Sequence, residues 1–238
     1  MKPHTAYLLA GGRGWNRTDV DPVLEAILRG IGKPFPSIAY LGAANGDSPE
    51  FFQRTVVYLQ KAGAGDVELA PIADAGVDLG AAKRILGRGD CVFIGGGDVA
   101  EGMRLLEERK MVPFLHELCG RGTPFLGTSA GSIMLSKCWV RWRDPDDDST
   151  AEIFPCTALA GILCDTHGEA DGWEELRALL RLVGDGQIGY GIPAGRAMGI
   201  HRDGAIEALG GGVARYLHRR GKIVRMADLL PCSCDKIS

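Results

Sequence analysis

Short, unbroken apolar runs alternate with longer segments of helical period through the first half of the chain. Residues 5–10, 37–41, 67–69 and 91–94 read as strands, and Phe125-Leu126 as a fifth. Runs of this length without polar alternation suit strands buried on both faces, as in a parallel sheet. Between them, Asp21-Pro22 supplies an N-cap and a first-turn proline for a helix to Arg29 that Gly30 stops. Ser48-Pro49-Glu50 opens another helix to Lys61, closed by Gly63. Further helices are expected at 80–86, 99–109 and 113–119. The alternation predicts an α/β fold, a doubly wound, mostly parallel sheet with helices on both faces. Glycine-rich loops follow the runs at 11–14 and 95–97, at strand ends where such sheets bind ligands.

After residue 135 the pattern changes. Residues 139–153 read as a loop expected to move on substrate binding, with the acidic run Asp146-Asp147-Asp148 within it as a solvated stretch. Residues 158–164 read as a strand and 173–183 as a helix. Runs at 205–209, 213–218 and 222–226, with glycine turns between them, suggest an antiparallel meander completing the sheet as a C-terminal extension. With no repeat, low-complexity stretch or linker, 1–238 is expected to be a single domain.

Composition narrows the classes. Of 238 residues, 45% are hydrophobic and 24% charged, which is ordinary for a globular domain. A net charge of −3 argues against nucleic acid or an anionic membrane as partner, and no apolar run is long enough to span a bilayer. The run at 6–10 is too short for a signal-peptide core, so a cytoplasmic location is expected. Seven cysteines at irregular spacings read as buried small hydrophobes. Cys232-Ser233-Cys234 has no second pair at ligand spacing, so no metal site is expected.

The candidate chemistry begins at Gly127-Thr128-Ser129-Ala130-Gly131, between the fifth strand and an apolar helical run. Gly-x-Ser-x-Gly in that context fits a nucleophile elbow: the glycines relieve crowding in a sharp turn that lifts the serine hydroxyl above the sheet. The alternative is a serine that merely caps a helix. A hydroxyl nucleophile needs a base. Among the five histidines, His4 lies near the chain start, His116 within a helix, and His201 and His218 in the late meander. His167 alone follows a buried run in a polar, glycine-containing loop.

Phe93-Ile94-Gly95-Gly96-Gly97-Asp98, the elbow and His167 together resemble the S51 serine peptidases, a family that includes the aspartyl dipeptidases (peptidase E) and the cyanophycinases. The resemblance implies a class I glutamine amidotransferase-like fold and extends to Gly191-Ile192-Pro193-Ala194-Gly195, similar to a Gly-Leu-Pro-Glu-Gly segment of peptidase E. It implies Ser129 as nucleophile and His167 as general base. It implies Asp144, fifteen residues after the serine, as the group orienting the imidazole, with Asp165 and Glu169 as nearby alternatives. The Gly97 and Ala130 N–H groups would form the oxyanion hole. The activity implied is hydrolysis of short peptides through an acyl-enzyme, Asp-X dipeptides being one substrate class, without a cofactor, by a monomer or homodimer.

Two departures bear on specificity. The family glutamate of the late segment is Ala194, and the usual asparagine after the three glycines is Asp98. Asp98 is also a candidate substrate contact, and Arg13, Arg17, Arg141, Arg143 and Arg196 are the cations available to a substrate carboxylate. Alternatives are a cyanophycinase, a carboxypeptidase-like member or a non-catalytic binding protein on the same fold. A glutamine amidotransferase would need cysteine at 129, and the glycine spacing at 95–97 does not suit a dinucleotide.

Overall fold

A computed structural model describes residues 4–11 and 20–232. The main sheet has seven strands. In spatial order these are β11 (Ile206–Leu209), β10 (Ala197–His201), β1 (His4–Leu9), β5 (Phe125–Thr128), β4 (Cys91–Ile94), β2 (Ile38–Leu41) and β3 (Val67–Leu69). The five from β1 to β3 are parallel, and β10 and β11 extend them antiparallel at one edge.

Alternate residues on each strand face opposite layers. Leu8, Leu41, Val92, Ile94 and Phe125 pack with α3 (Leu79–Arg88), α4 (Val99–Glu108), α5 (Val112–Arg121) and α6 (Ala130–Leu135). Tyr7, Leu9, Tyr40, Phe93 and Leu126 pack with α1 (Pro22–Gly30) and α2 (Pro49–Lys61). The predicted caps form: Asp21 Oδ1 accepts the Val23 and Leu24 N–H groups, and Ser48 Oγ accepts that of Phe51.

A second sheet, β13-β12-β9-β8, stands beside the first. It is built from β8 (Leu163–Thr166), β9 (Ile188–Ile192), β12 (Val213–Arg219) and β13 (Lys222–Leu229). Helix α7 (Glu174–Val183) and the hairpin of β6 (Cys138–Trp142) and β7 (Ala151–Pro155) cover it, sharing a cluster of Val140, Leu163, Trp173, Leu176 and Leu180.

Three expectations change here. The late strands do not form one meander: β10 and β11 join the main sheet, whereas β12 and β13 join the second. Residues 139–153 are largely a paired hairpin, with Val140 opposite Ile153. Residues 158–162 are not strand. They wrap the end of α6, where Ala160 N–H bonds Leu135 O and Lys137 N–H bonds Ile162 O, so burial of Leu159 and Ala160 reflects packing of a turn. Arg13, Arg17 and Cys234 lie outside the described residues.

At the elbow the strand ends and α6 approach closely. A Cβ on Gly127 would lie 2.6 Å from the Gly131 carbonyl, and one on Gly131 2.2 Å from Ile94 O. By contrast, Gly120 in α5 has open space around it. Gly131→Ala is therefore expected to cost about 3 kcal/mol or more, while Gly120→Ala stabilises by about 0.5 kcal/mol. Urea unfolding of the two variants checks the contrast.

Candidate active site

Ser129 follows β5 directly and begins the turn into α6 with φ 52° and ψ −120°. That left-handed conformation is strained for a residue with a Cβ, typically by about 1–3 kcal/mol. Its N–H bonds Leu9 O at 2.9 Å, and Ser132 Oγ donates to the same carbonyl at 2.7 Å. The end of β1 thus anchors the corner from below. Ser129 occupies the N-cap position of α6, yet its side chain makes no capping bond. The alternative of a structural cap therefore fails: the hydroxyl is not spent on the helix.

The corner opens on a cavity of about 210 Å³ lined by Gly97, Ser129, Ala130, Asp165, His167 and Glu175, with Val99, Ile133, Trp139, Thr166, Gly168 and Asp171. The structure so brings together on one cavity four of the residues singled out in the sequence, Ser129, His167, Gly97 and Ala130. His167 follows β8 in a left-handed conformation, φ 65°, and its N–H bonds Ile192 O at 3.3 Å. Among the described residues, neither the Ser129 hydroxyl nor the His167 ring has a hydrogen-bond partner.

Asp144 is not brought to this wall. It sits exposed at the tip of the β6–β7 hairpin, where its Oδ1 accepts the Asp146 N–H at 3.1 Å and its own N–H bonds Thr150 Oγ1. Pairing of the hairpin closes the tip on itself and uses the carboxylate there. The expected substrate contacts also lie off the cavity lining. Asp98 caps α4 by accepting the Glu101 N–H at 2.9 Å. Arg141 bonds Glu152 and stacks on Phe154, and Arg143 faces the same glutamate at 3.6 Å. Exposed Arg196 packs beside Gly211.

The charged groups that do line the cavity are acidic. Asp165 is 5% exposed, and its Oδ1 accepts the Thr166 N–H at 2.7 Å. Burial, reinforced by the neighbouring Glu175 and Asp171 carboxylates, pushes Asp165 up to about 7. Glu175 accepts the Trp139 indole N–H at 2.9 Å, and Asp171 accepts the Trp173 N–H at the start of α7. Glu169 accepts the Ala194 N–H at 3.1 Å, so a carboxylate stands at the corner where the family pattern loses its own. Among the described residues no group of His, Cys, Asp or Glu is placed to hold a metal ion, and no helix is long and apolar enough to cross a membrane.

The model of peptidase family S51 matches residues 6–208. The chain belongs to this family. Peptidase E of Haemophilus influenzae (strain ATCC 51907 / DSM 11121 / KW20 / Rd) is 26% identical over 127 residues. The match covers 50% of this chain and 57% of that protein, so it spans little more than half of the curated relative. In fold, the chain resembles a peptidase from an acI-B1 Actinobacterium, with a TM-score of 0.70 at 14% identity over 95% of each chain. It also resembles a Listeria monocytogenes EGD-e protein, with a TM-score of 0.60 at 15% identity over 87% of this chain and 98% of that one.

Asp171, Glu175 and Trp139 are cavity residues that the sequence reading missed. Asp171 and Glu175 carry a weak signal, acids four apart around a helix start, but such acids ordinarily serve the helix itself. Packing of α7 against β8 brings them to the wall of the cavity.

Asp165 titrates near 3.8 when unperturbed and at about 7 in the folded protein. Between those values the native state holds a proton the unfolded chain has lost, so this residue's contribution to stability falls as pH rises toward about 7 and is constant above it. Asp165→Asn removes the effect. Its melting temperature relative to wild type is expected to rise from pH 4 to pH 7 and then level off. A difference independent of pH would refute the assignment.

Proposed function

We propose that this S51 member hydrolyses short peptides from a free amino end, with Ser129 as the nucleophile. The observation that carries the reading is the strained Ser129 corner, whose hydroxyl is left uncapped and opens on the cavity it shares with His167. Ser129 Oγ attacks the scissile carbonyl carbon while His167 takes the hydroxyl proton. The tetrahedral oxyanion is held by the Gly97 and Ala130 N–H groups. Collapse breaks the C–N bond, His167 returns the proton to the leaving amine, and water then resolves the acyl-enzyme by the same steps.

The orienting role first expected of Asp144 passes in this reading to Asp165, a carboxylate that lines the same cavity as His167. Its ionised form favours the imidazolium formed during attack. The same wall of Asp165, Asp171 and Glu175 offers no cation to an aspartate side chain, but suits the α-ammonium of a substrate. A space of about 210 Å³ is below the usual size of sites for larger ligands, about 300–1,000 Å³, and fits the end of a peptide. This supports cleavage after the first residue, as in a dipeptidase or aminopeptidase, and gives no special support to an N-terminal aspartate.

Ser129→Ala is expected to lower kcat/KM on dipeptides and tripeptides by about 10³-fold or more and to abolish labelling by a fluorophosphonate probe. N-acetylation of a cleaved peptide should reduce kcat/KM by about 100-fold, since it removes a charge-assisted contact. Equal cleavage of free and acetylated peptides would sink the amino-end reading. Asp165→Asn should lower activity while Asp144→Asn leaves it within about twofold, a comparison made in one steady-state assay.

A further inference from the structure

The turn after β2, residues Ala43–Asn45, grips the 95–98 loop at both ends of Gly97. Asn45 Nδ2 donates to Gly96 O at 2.9 Å, and Ala44 O accepts the Asp98 N–H at 2.7 Å. The second Asn45 Nδ2 proton goes to Tyr40 Oη, also at 2.9 Å. Tyr40 is fully buried and stacks on Phe93 with ring centroids 6.0 Å apart, so the amide hangs from the core. The fit leaves no slack: a Cβ on Gly95 would lie 2.5 Å from Tyr40 Oη, and one on Gly97 1.9 Å from Ala44 O.

A trans peptide is planar, with its C=O and N–H on opposite sides. Holding Gly96 O on Asn45 therefore turns the Gly97 N–H away from this turn. Gly97 lines the cavity together with Ser129 and Ala130. Among the described residues no acceptor takes the Gly97 N–H. Asn45 Oδ1, in contrast, is buried without a donor, a cost of about 1–3 kcal/mol that is accepted because only this orientation of the amide can donate to Gly96.

We infer that Asn45 is a positioning residue for the reaction: through the Gly96 carbonyl it fixes the Gly97 N–H as the oxyanion donor. This rests on the proposed serine chemistry, and its effect belongs to the transition state, not to substrate binding. Asn45→Ala should lower kcat about 10- to 100-fold, somewhat less than outright loss of an oxyanion donor, with KM within about twofold. The Ki of a peptide aldehyde, whose serine adduct carries the oxyanion, should rise by the same factor. Affinity for the corresponding reduced-amide peptide should not change. Asn45→Asp keeps the shape but sets an oxygen against Gly96 O while ionised. Its deficit relative to wild type should narrow from pH 8 to pH 6, because a protonated carboxyl can donate again. It carries the test should the alanine variant fail to fold.

Full kcat in either variant, or a loss matched by weaker reduced-amide binding, overturns the inference. Wild type that neither cleaves peptides nor takes up a fluorophosphonate at Ser129 overturns the serine reading and this one together. Wild type that does both, beside a fully active Asn45→Ala, overturns this one alone.

Discussion

The first turn of α6 lies directly on the ends of two strands, and the geometry of the site descends from that contact. Gly131 meets the Ile94 and Gly95 carbonyls where any side chain would overlap them, and Gly127 meets Gly131 in the same way. With the chain drawn in on both sides, the residue between must turn the corner, and Ser129 does so at φ 52°. Leu9 O holds the corner from β1 through two hydrogen bonds. Three neighbouring strands thus converge on one hydroxyl. The strain at Ser129 persists because the surrounding backbone over-determines it, as backbone strain at reactive centres generally requires.

Around that corner the protein divides its charges. Among the described residues several arginines pair on the outside, as Arg141 and Arg143 do with Glu152 and Arg104 with Glu101 and Glu108. The cavity keeps carboxylates. Desolvation makes a buried carboxylate costly when ionised, so Asp165 is held by backbone N–H groups and still titrates at about 7. A group poised near neutrality in a cavity shared with a serine and a histidine can answer the arrival of a cation or a proton.

Much of the fold was legible because its causes are local. The caps at Asp21 and Ser48, the prolines behind them and the unbroken apolar strands are short-range features, and most elements through β5 appear within a residue or two of their expected limits. Past residue 135 that legibility fades. The β6–β7 hairpin joins strands of mixed burial through an acidic tip, so polarity suggested loop where pairing made sheet. At 158–162, apolar residues suggested strand, but burial there comes from wrapping α6. Hydrophobicity reports burial and leaves the backbone path open. Nor could the late strands disclose which sheet they join, since antiparallel alternation reads alike in either.

The sequence by itself determined the elbow, because only glycine fits its two close approaches, and it singled out His167 at a strand end. It also carried the family resemblance that the S51 match bears out. It could not determine which carboxylate accompanies His167. The family resemblance favoured Asp144, which the hairpin holds at an exposed tip, whereas Asp165, Asp171 and Glu175 line the cavity that Ser129 opens on. Nor did it mark Asn45, whose hydrogen bond to Gly96 spans 51 residues. Motifs record what the chain needs over a few residues. Contacts between segments far apart in sequence, and the desolvation they impose, exist only once the layers have packed.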